Sequence, residues 1–230
     1  MGVGPGDPEL LTLKAVRILK KTGIIAVPKG REGGESMALE IIKKALPLKG
    51  KEIIELHFPM VKVLSPEALR PQAETVLSHL REKKDVAFIT LGDPTLYSTF
   101  FHLYEAVLSI EPDIEAEIVP GVSSINAAGA RAGISLALSR EKVAILPAIY
   151  VKNLKDLLRE FETVVLMKPG SVLAELKNTL REVGLLEQAV LVSKVGFADE
   201  EIKSLSQVSE KEASYFSTLI IRTNSLRSRK

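Results

Sequence analysis

The sequence contains no cysteine, and this absence excludes disulfides, thiolate metal sites and cysteine nucleophiles. Its three histidines show no spacing typical of metal ligands, so we expect no protein-bound metal. It also lacks an excess of either charge, because 31 lysines and arginines stand against 29 aspartates and glutamates. A nucleic-acid-binding protein typically carries a strongly basic face. The balance therefore predicts no nucleic-acid partner and favours a small-molecule ligand.

Long apolar runs are missing as well. No run approaches the about 20 residues of a membrane-spanning helix, and the first residues lack the basic and apolar segments of a signal peptide. We therefore expect a cytoplasmic protein without membrane association. What the chain does contain is 230 residues with 46% hydrophobic content, enough for one large domain or two smaller ones.

Short apolar runs alternate with segments of helical periodicity, which predicts an α/β protein with largely parallel sheets. The runs of strand length lie at 23–27, 52–56, 86–91, 115–119, 143–146, 163–167, 189–193 and 216–221. The clearest helical faces lie at 69–80, 100–108 and 172–183. So many strands in one open sheet would be unusual. We therefore predict two α/β lobes, 1–119 and 120–230, divided at Pro120-Gly121.

The two lobes differ in their predicted sheets. The first reads as mostly parallel, whereas 201–208 and 215–221 are strand-like with only a short polar segment between them. That arrangement predicts an antiparallel hairpin and a mixed sheet in the second lobe. At the start, Gly2-Val3-Gly4 has the form of a strand end, but a single residue precedes it, so the strand is either truncated or unusually short.

The tripeptide Gly-Asp-Pro occurs at 6–8 and again at 92–94, after a predicted strand each time. Aspartate suits an N-cap and proline suits the first helical turn, so two helix starts are one interpretation. The other is a ligand site, because ligands of open α/β sheets bind beyond the carboxyl ends of strands. Tyr97, Ser98 and Thr99 after the second corner favour the ligand, as does a third glycine-bearing loop at 119–133. Three such loops predict one shared cleft.

Two common occupants do not fit these loops. The first loop lacks the G-x-G-x-x-G spacing, and the strand after it has no carboxylate at its tip, which argues against a dinucleotide. The phosphate loop G-x-x-x-x-G-K-[ST] is absent, and an aspartate at each corner would repel a phosphate. A cationic or neutral ligand suits the cleft better.

Six segments together resemble the tetrapyrrole (corrin/porphyrin) methylase family. They are GVGPGDPELLTLKAVRIL, LGDPTLYSTF, VPGVSSINAAGARAG, VVLMKPG, VSKVGFADEEI and YFSTLIIR, and they span nearly the whole chain in the family's order. The continuation Leu-Tyr-Ser-Thr-Phe resembles the branch that methylates C-20 of precorrin-2 or cobalt-factor II in cobalamin (vitamin B12) biosynthesis.

The resemblance implies two α/β lobes with S-adenosyl-L-methionine in the cleft between them, usually in a homodimer. S-adenosyl-L-homocysteine is the expected product. The residues expected around the cofactor are Pro5, Leu91, Gly92, Asp93, Leu96, Tyr97, Ser123, Ser124, Met167 and Val195. Tyr97 and Asp93 are the candidates for assisting the loss of the C-20 proton.

The tetrapyrrole substrate carries eight carboxylates, so basic residues should line its site. The candidates for substrate binding are Lys29, Arg31, Met60, Lys62, Arg140 and Lys194. His57 departs from the family pattern and is either a surface side chain or a substrate contact. Whether the ring already holds cobalt stays open.

Several other functions remain alternatives. The nearest are sister activities on the same fold, namely methylation at another ring position, uroporphyrinogen-III methylation, diphthine synthesis and ribosomal RNA methylation. The near-zero net charge speaks against the RNA activity. A non-catalytic module that binds S-adenosylmethionine without turnover is an alternative of a different class.

Overall fold

The computed structural model describes residues 1–29, 36–59, 65–209 and 214–223. The chain divides into two compact units, Met1–Ser123 and Ser124–Lys230. The lobe boundary after residue 119 and the ligand cleft stay predictions from the sequence. No helix within the described ranges has the length and apolar character needed to cross a membrane.

The first unit contains three parallel strands in the order β2-β1-β3, which confirms the mostly parallel sheet predicted for this lobe. Its strands are β1 (Ile24–Lys29), β2 (Glu52–His57) and β3 (Val86–Phe88), and its helices are α1 (Leu13–Lys21), α2 (Met37–Ala45), α3 (Arg70–Arg81) and α4 (Phe100–Leu108). The first four residues of β1 are all buried. A central parallel strand has both faces covered, and this explains its unbroken apolar run.

Local sequence sets the helix ends. The hydroxyl of Thr12 accepts a hydrogen bond from the Ala15 N–H at 3.1 Å and caps α1. Pro71 lies in the first turn of α3, where a missing N–H costs no intrahelical bond. α3 and α4 cover one face of the sheet around a core that includes Leu77, Phe88 and Leu103.

Two of the predicted strands in this unit differ from the structure. Residues 115–119 do not form a strand. The Val119 carbonyl accepts a hydrogen bond from the Gly2 N–H at 2.9 Å, but residues 115–118 are exposed. A segment that buries only its last residue gains little from pairing. The strand predicted at 86–91 is shorter, since β3 ends at Phe88 and only isolated bridges follow it.

The beginning of the chain runs alongside the end of β3. The Thr90 N–H donates to the Met1 carbonyl and the Val3 N–H donates to the Thr90 carbonyl, both at 3.0 Å. Isolated bridges join Gly2 to Thr90 and Gly4 to Gly92. The extended segment predicted at Gly2-Val3-Gly4 is therefore present as single bridges beyond the regular sheet.

The second unit contains a mixed five-stranded sheet in the order β4-β5-β8-β6-β7. Its strands are β4 (Val143–Pro147), β5 (Thr163–Met167), β6 (Ala189–Ser193), β7 (Glu201–Ser204) and β8 (Ser217–Arg222), and its helices are α5 (Ser124–Arg131), α6 (Leu154–Glu160) and α7 (Leu173–Glu182). β4 and β5 are parallel, while β8 runs antiparallel to both of its neighbours. The predicted mixed sheet and the α/β class are confirmed.

The predicted hairpin of the last two strands is wrong. β7 pairs with β6 at the edge of the sheet, and β8 lies between β5 and β6. The burial of the strands gives the reason. Ser217–Ile221 is buried throughout and needs neighbours on both sides, whereas β7 begins with the exposed residues Glu201 and Ile202 and suits an edge.

Candidate functional site

Three glycine-bearing loops of the first unit meet at a junction of Gly2, Gly92 and Gly121, which we call the glycine junction. A Cβ atom added to Gly2 would lie 2.3 Å from the Gly92 carbonyl oxygen and 2.8 Å from the Gly121 Cα. A Cβ atom on Gly121 would lie 2.3 Å from the same oxygen. Only glycine permits such an approach of backbone to backbone. The structure thus brings together the three loops that sequence patterns assigned to one site.

Asp93 fastens two of these loops together. One carboxylate oxygen accepts a hydrogen bond from the Gly121 N–H at 2.9 Å, and the other accepts from the Thr95 N–H at 2.8 Å and from the Thr95 hydroxyl. Burial acts to raise the pKa of Asp93, but these hydrogen bonds outweigh burial and hold the pKa below its ordinary value. The side chain therefore carries a fixed negative charge at neutral pH.

The two Gly-Asp-Pro corners differ, although their sequences match. At the first, Asp7 accepts a hydrogen bond from the Glu9 N–H at 2.8 Å and caps a 3₁₀ turn at Pro8–Leu10. At the second, no helix begins at Pro94; α4 starts at Phe100, where the Ser98 hydroxyl accepts from the Phe100 N–H at 3.1 Å. The interpretation of the second corner as a helix start is wrong: Asp93 repeats with the Thr95 N–H the contact that Asp7 makes with Glu9, but its other oxygen is engaged by Gly121.

The remaining cofactor candidates of this unit lie on the same three loops. Leu91, Leu96 and Ser123 are half-buried, and Pro5 is buried. Tyr97 is 47% exposed and has a left-handed backbone with φ of 51°. A non-glycine residue in that conformation is strained, and such strain is concentrated at functional sites. The corner therefore combines apolar side chains, a phenol and one carboxylate.

In the second unit, Met167 and Val195 lie at the carboxyl ends of two interior strands of the sheet. Met167 is the last residue of β5, and Val195 follows the end of β6 by two residues. The amino end of β8 lies between those two strand ends, because Met167 pairs with Thr218 and Ser193 pairs with Ser217. Ser124, the other candidate here, is the first residue of α5.

Glu200, which the sequence reasoning did not single out, holds the loop that contains Val195. One of its carboxylate oxygens lies 2.7 Å from both Nε and Nη2 of Arg131, and the other accepts from the Gly196 N–H at 2.7 Å. Its side chain is only 10% exposed. Burial acts to raise the pKa of Glu200, but the hydrogen bonds from Arg131 and Gly196 outweigh it and lower the pKa. The signal in the sequence that could have identified Glu200 is its position four residues after Gly196, the loop glycine from whose N–H it accepts a hydrogen bond.

The predicted substrate-binding residues are only partly described. Arg31, Met60 and Lys62 lie outside the described residues. Lys29 pairs with Glu55 at 2.5 Å, and Lys194 pairs with Asp199. The hydrogen bond from each lysine lowers the pKa of its carboxylate partner. Arg140 is exposed in the turn before β4. A substrate carboxylate at Lys29 or Lys194 would therefore compete with an existing ion pair.

His57 is exposed at the end of β2, where its main chain stands opposite Lys29 in the parallel register. Its carbonyl accepts a hydrogen bond from the Gln72 side chain. These contacts are those of a strand end on the surface of the unit.

Comparisons with known proteins agree on one family. The model of the tetrapyrrole (corrin/porphyrin) methylases matches residues 1–209. The chain is 42% identical over 209 residues to a probable cobalt-precorrin-2 C(20)-methyltransferase of Methanocaldococcus jannaschii, covering 88% of this chain and 84% of that protein. It is 34% identical over 226 residues to a cobalt-precorrin-2 C(20)-methyltransferase of Salmonella typhimurium, covering 96% and 94%.

Solved structures match the fold. A cobalt precorrin-4 methyltransferase superposes with a TM-score of 0.73 at 22% identity, covering 96% of this chain and 92% of that chain. A uroporphyrin-III C-methyl transferase from Thermus thermophilus, complexed with S-adenyl homocysteine, gives a TM-score of 0.70 at 22% identity, covering 100% and 94%.

Proposed function

Because the chain belongs to the tetrapyrrole (corrin/porphyrin) methylases, we propose that it methylates C-20 of precorrin-2 or of its cobalt-bearing counterpart in cobalamin biosynthesis. The family predicted from the sequence is confirmed. The observation that carries the finer proposal is the likeness, along most of the chain, to relatives named for C(20) methylation. The methyl donor we propose is S-adenosyl-L-methionine.

The first unit's corner fits that donor in its chemistry. A molecule with an apolar body and one positive charge suits the half-buried Leu91 and Leu96 together with an ionised Asp93. The turn at Gly92, with φ of 71°, keeps side-chain bulk away from the loop. These residues, with Tyr97 and Ser123, are the ones that would hold it, and Ser124, Met167 and Val195 are those of the second unit.

When bound, S-adenosylmethionine supplies an electrophilic methyl group on a positively charged sulfur. The carbon that receives it belongs to the substrate and is electron-rich, so the protein need not create a nucleophile. The protein's contribution is to hold carbon and methyl group in line, and orientation of this kind is worth roughly 7–11 kcal/mol. The glycine junction and the hydrogen bonds of Asp93 make the corner rigid enough for that role.

Asp93 is a poor base for removing the C-20 proton afterwards. Both of its oxygens already accept hydrogen bonds, and its pKa lies below the ordinary value. We assign it to fixing the loops and to offsetting positive charge. Tyr97, whose ring is partly exposed beside this corner, remains the candidate for assisting proton removal.

The test is to incubate the protein with methyl-labelled S-adenosylmethionine and either metal-free or cobalt-loaded dipyrrocorphin. We expect one labelled methyl group on the ring, and carbon NMR of the product should place it at C-20. Label at another ring carbon would point to a sister activity. Cofactor binding without any labelled product from either tetrapyrrole would point to a non-catalytic module.

We also propose that the protein acts as a homodimer, as the family resemblance implies. Light scattering of the purified protein should give twice the chain mass of 25.1 kDa. A mass equal to that of one chain at micromolar concentration would contradict this assignment.

A further inference from the structure

Two lysines with left-handed backbones lie on either side of the amino end of β8. Lys168, with φ of 55°, directly follows β5, and Lys194, with φ of 49°, directly follows β6. The Lys168 N–H donates to the Ser217 carbonyl at 3.0 Å, and the Lys194 N–H donates to the Phe216 carbonyl at 2.8 Å. The two turns therefore both donate backbone hydrogen bonds to the amino end of β8.

A left-handed backbone is unfavourable for a residue with a Cβ atom and favours glycine. Apart from Tyr97 at the second Gly-Asp-Pro corner, the other such residues of the described ranges are Lys83 at the end of α3 and Ser139 in the turn closed by the Glu141 N–H and the Leu138 carbonyl. Helix ends and tight turns are ordinary places for this conformation. The ends of β5 and β6, the two strands that flank β8, are not, and strain at such a place is a reason to look for a function of the side chain.

The ammonium group of Lys168 lies over an aromatic ring. Its Nζ atom lies 4.7 Å from the centre of the Tyr215 ring, within cation–π range. Lys194 across β8 is neutralised by Asp199, whereas no salt bridge of Lys168 is found in the described part of the chain. The aromatic face orients the ammonium and leaves its charge uncompensated. Such a group is prepared to bind an anion.

The surroundings favour a flat anionic ligand. Tyr215 and Phe216 are 57% and 41% exposed, and their rings meet edge to face at 5.2 Å. Exposed aromatic side chains beside a cation suit a conjugated ring that carries carboxylates on its rim. Lys168 also directly follows Met167, a residue proposed to contact the methyl donor.

We propose that Lys168, oriented by Tyr215, binds a rim carboxylate of the tetrapyrrole and so helps to set the position of the ring. The inference rests on the proposed function. It adds a substrate-binding residue and an aromatic support to the cations named from the sequence, and it predicts that charge at this position matters for the substrate and not for the cofactor.

The experiment compares Lys168→Met with Lys152→Met, an exposed lysine of the same unit, as matched control. The dissociation constant for metal-free dipyrrocorphin is measured by absorbance titration at low and high salt, and that for S-adenosylhomocysteine by calorimetry. For Lys168→Met we expect substrate binding about tenfold weaker at low salt. The loss should shrink at high salt because salt screens the charge. The dissociation constant for S-adenosylhomocysteine should not change, and Lys152→Met should have the wild-type dissociation constants for both ligands.

A second pair of variants tests the aromatic support. Tyr215→Phe keeps the ring and should bind dipyrrocorphin as the wild type does, whereas Tyr215→Leu should bind it several-fold more weakly. At saturating substrate, we expect kcat of Lys168→Met to stay within about threefold of the wild type. The main effect of the substitution should be a higher KM for the tetrapyrrole.

Each outcome has one meaning. Equal substrate affinity of Lys168→Met and wild type would overturn the inference and leave the proposed function intact. A parallel loss of S-adenosylhomocysteine binding would show a structural role for Lys168 and would also overturn it. A wild-type protein that binds S-adenosylhomocysteine but no dipyrrocorphin would overturn the proposed function, and the inference with it.

Discussion

The first unit brings its loops together with glycines at 2, 92 and 121, where the backbones touch and no side chain fits. The second unit makes its turns after β5 and β6 with Lys168 and Lys194, whose backbones adopt a conformation that glycine would adopt more easily. Glycine at the first place allows the loops to approach. Lysine at the second place keeps a charged side chain where glycine would have been favourable. The first unit thus uses glycine to bring backbones together, whereas the second keeps a charged side chain at a strained turn.

A second comparison shows what the two units share. Asp93 in the first and Glu200 in the second each accept a hydrogen bond from the N–H of a loop glycine, Gly121 and Gly196 respectively. In both, hydrogen bonds overcome burial and lower the pKa of the carboxyl group. Each unit thus uses one ionised carboxylate to fix a loop that carries proposed cofactor contacts.

The largest effect is expected for Gly121→Ala. Its new methyl group would lie within 3 Å of backbone atoms of Gly92 and Gly2, so a loop would have to move. We expect a loss of about 3 kcal/mol in the free energy of unfolding, measured by urea denaturation, together with weaker S-adenosylhomocysteine binding. Gly23→Ala is the control, since a Cβ atom there has no heavy atom within 4 Å. A neutral Gly121→Ala would mean that the loops do not touch as described.

The next effect is expected for Asp93→Asn. The amide can accept at only one oxygen, so an N–H would face either Gly121 or Thr95, and we expect a loss of about 2 kcal/mol at pH 7. Because folding lowers the pKa of Asp93, its contribution is present above the unfolded pKa of about 3.9 and is lost as pH falls through the lower folded value. The difference between variant and wild type should therefore shrink below about pH 4.

Asp7→Asn is the matched control for that experiment. Asp7 occupies the same tripeptide but only caps a 3₁₀ turn, and asparagine caps as well as aspartate does. We expect a change of less than about 0.5 kcal/mol. Equal losses for both aspartates would contradict the distinction drawn between the two corners.

A smaller effect is expected for Glu200→Gln. The side chain is nearly buried, but its partner Arg131 is 63% exposed, so solvent moderates the loss to about 1–2 kcal/mol. Glu201→Gln, at a half-exposed neighbour paired with Lys203, should be neutral. Thermal unfolding of both variants measures the difference. If the two variants melt together, Glu200 does not fix the Gly196 loop.

The smallest effect, opposite in sign, is expected for Lys168→Gly. Relief of the left-handed backbone should raise stability by at most about 1 kcal/mol, offset in part by the entropy of glycine in the unfolded chain. Lys83→Gly at the end of α3 should behave alike in thermal unfolding. The two should differ in dipyrrocorphin binding, which only Lys168→Gly should weaken. Weaker binding in both variants would remove the contrast between the units.

The sequence predicted the features that depend on local pattern. Buried runs such as Ile24–Val27 and periodic helices such as α3 and α4 follow from residue spacing, and glycines at strand ends marked the loops of the candidate site. It did not predict pairing partners. β8 was assigned to a hairpin with the strand before it, because sequence proximity does not report which neighbour a fully buried strand requires.

Long-range hydrogen bonds are the second feature that the sequence did not predict. The two Gly-Asp-Pro corners are identical in sequence, and only the approach of Gly121 separates the roles of Asp7 and Asp93. Glu200 was missed because its partner Arg131 is 69 residues away. The assignments of individual residues to cofactor and substrate stay predictions.

The position of β8 has a consequence for biosynthesis. This strand is the last one described along the chain, yet it lies in the middle of its sheet and joins β5 to β6. Until residues 217–222 have left the ribosome, β4-β5 and β6-β7 are two separate pairs, and the edges of β5 and β6 that β8 later covers are unprotected. The second unit can therefore complete its sheet only after β8 has emerged, whereas the first unit can fold as soon as residue 123 emerges.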